Sequence, residues 1–165
     1  MNKLNELKKK YEELGKEIEK LEKEESQKVG FQNDPIFLLS VEEYEKYMKK
    51  IPQINCWWWL RSPGYYSYSA AGVYLDGSVY DCGLSVYSSN NAVRPALKPF
   101  SGLDGRERII YCGVTWIKID KNLYIAEVPI MFNKFGEDNN DYETSEVREK
   151  LIKWYNERQH WCTLK

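Results

Sequence analysis

The sequence predicts an α+β domain carrying an N-terminal helical arm, and three observations lead there. Residues Met1 to Lys28 repeat an apolar side chain at alternating spacings of three and four, which is helical periodicity. From Trp57 onward the chain changes to short alternating runs broken by Gly, Asn and Asp, the pattern of strands and tight turns. A charged segment from Thr144 to about Arg158 then returns to helical spacing. The expected division is an arm at residues 1–28 and a domain at residues 29–165.

The arm sets Leu4, Tyr11 and Ile18 at heptad position a, and Leu7, Leu14 and Leu21 at d. Its charges oppose the helix dipole, with Lys3, Lys8, Lys9 and Lys10 in the first turns and Glu19, Glu22, Glu24 and Glu25 in the last. Such a helix needs a partner. In a parallel pair Lys3 would face Lys8 and Glu17 would face Glu22, whereas in an antiparallel pair Lys3 meets Glu24 and Lys10 meets Glu17. An antiparallel homodimer is the expectation, and packing of the helix on its own domain is the alternative. Gly15 argues against a long rigid rod.

Gly30 to Pro35 reads as a linker and turn, and Ile36-Phe37-Leu38-Leu39 as a short buried strand. Ser40, with Glu43 three residues on, has capping-box spacing. The helix it opens runs to about Lys50, places Val41, Tyr44 and Met48 on one face, and is stopped by Pro52.

Trp57-Trp58-Trp59-Leu60-Arg61-Ser62-Pro63-Gly64 and Val93-Arg94-Pro95-Ala96-Leu97 bracket the stretch around which the domain is organised. Adjacent tryptophans are a large apolar payload that must mostly be buried. Trp58, Trp59, Arg61, Arg94 and Pro95 are therefore expected to be structural, each guanidinium satisfying loop carbonyls. Ala71 to Tyr80 alternates on both sides of Asp76-Gly77, a hairpin signal, with Val73, Leu75 and Val79 on one face and Tyr74 and Tyr80 on the other. Tyr65, Tyr66, Ser67, Tyr68, Tyr74, Tyr80, Tyr87, Ser88, Asn90 and Asn91 give this stretch the composition of an adaptable binding surface.

Beyond Phe100 the chain reads as a polar loop to Arg108, then strands at Ile109 to Ile119 and Leu123 to Ile130 joined at Asp120-Lys121-Asn122, with Trp116 and Tyr124 packing across them. Gly136 to Asp141 lacks the calcium-loop frame and reads as a solvated turn. Thr144 is the expected cap of the last helix, with Val147, Leu151, Trp154 and Tyr155 inward and Glu146, Arg148, Glu149 and Lys153 outward. His160 and Trp161 fall in the tail.

A chain of 165 residues with 42% hydrophobic and 15% aromatic content can build one sizeable core. Its net charge of -1 and pI near 6.0 give no footprint for nucleic acid or an anionic membrane. Charge from Lys3 onward and the lack of a long apolar run argue against a secretory signal or a membrane span, so a cytoplasmic location is expected. Cys56, Cys82, Cys112 and Cys162 contain no C-x-x-C pair and the chain has 1 His, which predicts reduced thiols and no structural zinc. No catalytic triad, paired-carboxylate site, phosphate loop or metal cluster emerges, and the expectation is a non-enzymatic protein with no cofactor and no metal.

Trp59-Leu60-Arg61-Ser62-Pro63-Gly64, Ala71, Asp76-Gly77-Ser78-Val79 and Val93-Arg94-Pro95-Ala96-Leu97 together resemble a bacterial and phage domain family of unknown function. That family carries WLRSPG and VRPAL signatures and is akin to the C-type-lectin-like folds of formylglycine-generating enzymes and retroelement variable proteins. Asp34 to Tyr47 and Asp141 to Arg148 extend the likeness, the second in a permuted position after the tryptophan block. The resemblance implies a C-type-lectin-like domain with a coiled-coil arm and a ligand face between the two anchors. It further implies a binding module of phage or prophage origin, acting in the host bacterial cytoplasm or on a virion, whose ligand is a protein or a glycan. A counter-defence inhibitor, such as an anti-CRISPR, is a close variant, and retroelement diversification of the tyrosine-rich loops is a further expectation. The alternatives are a structural virion component and a degenerate formylglycine-generating-like enzyme. Cys56 and Cys82 do not reproduce a recognised copper pair, so that activity is not carried over.

Overall fold

The computed structural model describes residues 2–98, 105–121, 123–159 and 162. Asn122, His160, Trp161 and the first half of the polar loop expected after Phe100 lie outside them. The fold is α+β. Helix α1 spans Lys3–Lys28, with the Asn2 side chain accepting from the Leu4 N–H at 3.3 Å. Leu4, Leu7, Leu14, Ile18 and Leu21 are each 54–57% exposed and Tyr11 is 82% exposed, so no described part of the domain covers the heptad seam.

After the arm come β1 (Ile36–Phe37), α2 (Val41–Tyr47), β2 (Trp58–Pro63), β3 (Ser69–Val73), β4 (Val79–Ser85), β5 (Ala92–Val93) and β6 (Ala96–Leu97). Then follow β7 (Arg108–Tyr111), β8 (Val114–Asp120), β9 (Leu123–Ala126), β10 (Met131–Phe132) and α3 (Glu146–Gln159). One sheet, ordered β1-β6-β9-β8-β7, is antiparallel throughout. The other, ordered β10-β5-β2-β3-β4, contains one parallel pairing, that of β2 with β5. Only Arg94-Pro95 separates β5 from β6, so the chain steps from one sheet to the other across two residues.

Strand alternation explains the unbroken apolar runs. Successive side chains leave a strand on opposite faces, and a strand buried on both faces reads as continuously hydrophobic. Ile36, Leu38, Trp59, Val93, Leu97, Tyr124 and Ala126 enter one apolar cluster, closed by Val147, Leu151 and Tyr155 of α3. Phe37, Leu39, Trp58, Leu60, Ala92, Ala96 and Ile125 enter a second, closed by Tyr44 and Tyr47 of α2. Trp58 and Trp59 thus point into different cores, and burying each contributes roughly 4–6 kcal/mol of gross transfer free energy.

Several expectations are corrected. Val73 pairs with Val79, leaving Tyr74 to Ser78 as the hairpin loop, so Leu75 lies in the turn and is exposed. Tyr47 rather than Met48 completes the inner face of α2, because the helix ends at Tyr47 and Met48 opens a 3-10 turn. The segment Ile109 to Ile119 is two strands, split where Cys112 (φ 54°) and Gly113 (φ 73°) make a two-residue turn of the kind that suits strand twist. Trp116 and Tyr124, by contrast, are diagonal neighbours across the pair, Trp116 opposite Ala126 and Tyr124 opposite Lys118, and both enter one cluster, as expected. Ser145, not Thr144, caps α3, its Oγ accepting from the Arg148 N–H at 3.2 Å.

Arg148 and the cysteines differ most. Instead of facing solvent, Arg148 donates to both carboxylate oxygens of Asp34 at 2.8 and 3.0 Å and lies over the Phe31 ring, tying α3 to the base of the arm. Cys112 and Cys162 form a disulfide, whereas Cys56 and Cys82 are free thiols. The turn before β8 and the chain beyond α3 bring the paired cysteines to a Cα separation of 4.7 Å, although 50 residues separate them in sequence.

Candidate functional site

The turn joining β2 to β3 is held from several sides. At Gly64 a Cβ would sit 2.5 Å from Ser69 Oγ and 2.6 Å from the Cys82 carbonyl oxygen, so only glycine lets the chain pass. The Gly64 N–H donates to Ser69 O at 2.8 Å and the Tyr65 N–H to Cys82 O at 2.8 Å. Ser69 Oγ accepts from the Tyr66 N–H at 3.1 Å and lies 2.9 Å from Cys82 O, its acceptor across the turn. From outside, Asn140 Nδ2 donates to Tyr66 O and Ser69 O, both at 3.0 Å. The backbone is therefore fixed while its side chains point out: Tyr65, Tyr66 and Tyr68 are 79%, 53% and 49% exposed. Tyr66 and Tyr68 stack with centroids 5.2 Å apart, and Tyr65 meets Tyr66 edge-on at 4.9 Å.

A second aromatic group forms at the other end of β2. Trp57 meets Tyr74 edge-on at 4.6 Å, and Tyr74 lies 4.9 Å from Tyr80. Partial burial, then the neighbouring Tyr80 hydroxyl, push the Tyr74 phenol above its ordinary range. Trp57 and Gly64 flank β2, so the two groups stand on the order of 20 Å apart at ~3.3 Å of rise per residue. The ten expected surface residues, among which Ser67 is exposed, are not gathered into one cluster. Tyr65, Tyr66 and Tyr68 make one surface, and Tyr74 and Tyr80 belong to another with Trp57. Tyr87 and Asn90 are exposed, and Ser88 is partly so.

Asn91 corrects the expectation of a surface residue. It is buried because it leads directly into β5, its carbonyl accepting from the Asn133 N–H at 3.1 Å. Its Nδ2 has no hydrogen-bond partner among the described residues.

The residues expected to be structural lie behind these surfaces. Trp58 meets Tyr44 edge-on, and Trp59 donates from Nε1 to Asn133 O at 2.8 Å. Arg61 pairs with both oxygens of Glu43, at 2.5 and 2.8 Å, and donates to Leu38 O. Arg94 is fully buried over the Trp58 ring and donates to the carbonyls of Ala126, Pro52 and Glu127. Burial pushes its guanidinium down to about 10. Pro95 is buried beside it, its carbonyl accepting from the Ala126 N–H.

Ser69 and Asn140 were not legible as site residues. Asn140 sits in the run read as a solvated turn, and nothing local marks its amide as the clamp on a turn 74 residues away. Among the described residues no cluster of three or more His, Cys, Asp or Glu could hold a metal, and no helix is long and apolar enough to cross a membrane.

No curated protein matches this chain, and no solved structure matches it either. A family profile, described as a domain of unknown function (DUF6273), matches residues 10–98, from within α1 to just past β6. Because that match covers more than half of the chain and includes both the tryptophan strand and the tyrosine turn, the protein belongs to the DUF6273 family of domains of unknown function.

Proposed function

We propose that this protein is a non-enzymatic binding module that docks another protein through the Tyr65-Tyr66-Tyr68 turn. The observation that carries the reading is a set of three exposed rings on a backbone clamped by Ser69 and Asn140. Rigid aromatic side chains give large contact area at low entropic cost and dominate recognition surfaces. A protein surface suits the turn better than a glycan. Tyr66 and Tyr68 already cover one face of each other, and both Asn140 amide hydrogens are spent on backbone carbonyls. The inner faces of Tyr66 and Tyr68 and the Asn140 amide are thereby withdrawn from sugar recognition.

In the same reading the domain is of C-type-lectin-like type. Its support is that the residues leading into the two motifs that carry that resemblance are paired: the Ala92 N–H donates to Trp57 O at 2.8 Å, and Trp58 pairs with Ala92. The roles of counter-defence inhibitor and phage protein are proposals that rest on the resemblance alone.

The test is affinity capture from bacterial lysate with the intact protein and with Tyr66→Ala, Tyr68→Ala and Tyr80→Ala, run beside a glycan array. A protein retained by the parent and by Tyr80→Ala but lost at least tenfold by Tyr66→Ala and Tyr68→Ala is expected, with unchanged melting of all variants. Equal capture by every variant would remove the turn from the binding surface, and glycan binding sensitive to Tyr66→Ala would replace the protein partner with a sugar.

A further inference from the structure

Beyond that binding reading, we infer that the exposed face of α1 is a dimer interface, and that its occupant is the α1 of a second copy of this chain running antiparallel. A 26-residue helix holding six apolar side chains in one stripe, each more than half exposed, leaves that stripe uncovered by the described residues of its own domain. Antiparallel register places Leu4 against Leu21, Leu7 against Ile18 and Tyr11 against Leu14, and two-fold symmetry repeats each layer, so every member of the stripe finds an apolar partner. The flanking g positions are Lys3, Lys10, Glu17 and Glu24. In this register Lys3 meets Glu24 and Lys10 meets Glu17, each twice, whereas a parallel pair sets Lys3 against Lys8 and Glu17 against Glu22. The acidic end of each helix also comes to lie beside the basic first turns of the other, offsetting the unfavourable dipole that each carries alone.

Geometry adds a consequence. The domain follows the C-terminal end of α1, so antiparallel pairing in this register puts the two domains at opposite ends of a helical pair about 46 Å long at ~1.5 Å per residue. Two copies of the tyrosine turn then belong to one particle, and a partner offering two binding sites gains avidity without any new contact.

Sedimentation of the full chain tests the pairing, with a mass of twice 19.6 kDa expected at tens of micromolar. The double variant Leu7→Glu/Leu14→Glu is expected to sediment as a monomer with an unchanged domain, because no described part of the domain covers the stripe. Orientation is read from two further double variants. Lys3→Glu/Lys10→Glu makes all four g positions acidic, and Glu17→Lys/Glu24→Lys makes them all basic. Each alone should lose about tenfold or more in dimer affinity, and an equimolar mixture should restore it as a heterodimer. A monomeric parent chain, a trimer or tetramer, a Leu7→Glu/Leu14→Glu dimer, or charge variants that self-associate as tightly as the parent would each overturn the inference. Because capture by the tyrosine turn needs only one copy, loss of dimerisation with capture intact separates this inference from the proposed function.

Discussion

Tyr142 shows how one side chain joins distant parts of the domain. It is 4% exposed, accepts from the Leu38 N–H at 3.2 Å, and packs its ring against Phe31 and Phe135. Burial holds its phenol well above the ordinary tyrosine value of 10.0. A pKa raised in the folded state gives stability that is fully present below the unfolded value and is lost as pH rises beyond it. Stability should therefore fall above pH ~10 as unfolded Tyr142 ionises. Tyr142→Phe leaves the Leu38 N–H without this acceptor and is expected to cost about 1–3 kcal/mol at neutral pH. It should also make the alkaline fall shallower. Urea unfolding at neutral and alkaline pH measures both, and a variant matching the parent at neutral pH with the same alkaline slope would remove this residue from the stability of the fold.

At the level of elements, α2 is anchored through Glu43. Its carboxylate accepts from the Ser40 N–H at 3.0 Å, closing the capping box, and also from the Gly30 N–H at 2.8 Å and from Arg61. One carboxylate thus fixes the helix start, the exit of the arm and the strand that leads into the tyrosine turn. Removing it strands a largely buried guanidinium, so Glu43→Ala should cost about 3–5 kcal/mol, against about 1 kcal/mol for Ser40→Ala. Equal costs in chemical denaturation would mean that the Arg61 pair adds nothing. The box was legible because its two residues lie three apart, and the Asp76-Gly77 hairpin because its signal is equally local. The break at Cys112-Gly113 was not, since cysteine rarely marks a turn with positive φ and the flanking residues are strong strand formers. The Arg148 pair with Asp34 and the bonds from Asn140 are tertiary, spanning 114 and up to 74 residues, and no local pattern announces them.

For the whole molecule, the family match and the fold have different boundaries. The match ends at residue 98, yet both sheets need strands from beyond it: β9 lies between β6 and β8, and β10 flanks β5. Helix α3 closes one of the two cores with Val147, Leu151 and Tyr155, and Arg94 finds two of its three carbonyl acceptors at Ala126 and Glu127. A fragment of residues 10–98 would leave that guanidinium short of partners, expose one face of Trp59 and uncover the edge of β6. It is expected to lack cooperative unfolding, to bind a hydrophobic dye and to aggregate. Residues 29–165 retain both cores, so removal of α1 alone should leave a cooperative domain with an unchanged melting temperature. Circular dichroism melts of the two fragments decide the matter. A cooperative transition in residues 10–98 would show that the matched segment is a self-sufficient unit, with β7 to β10 and α3 as an addition to it.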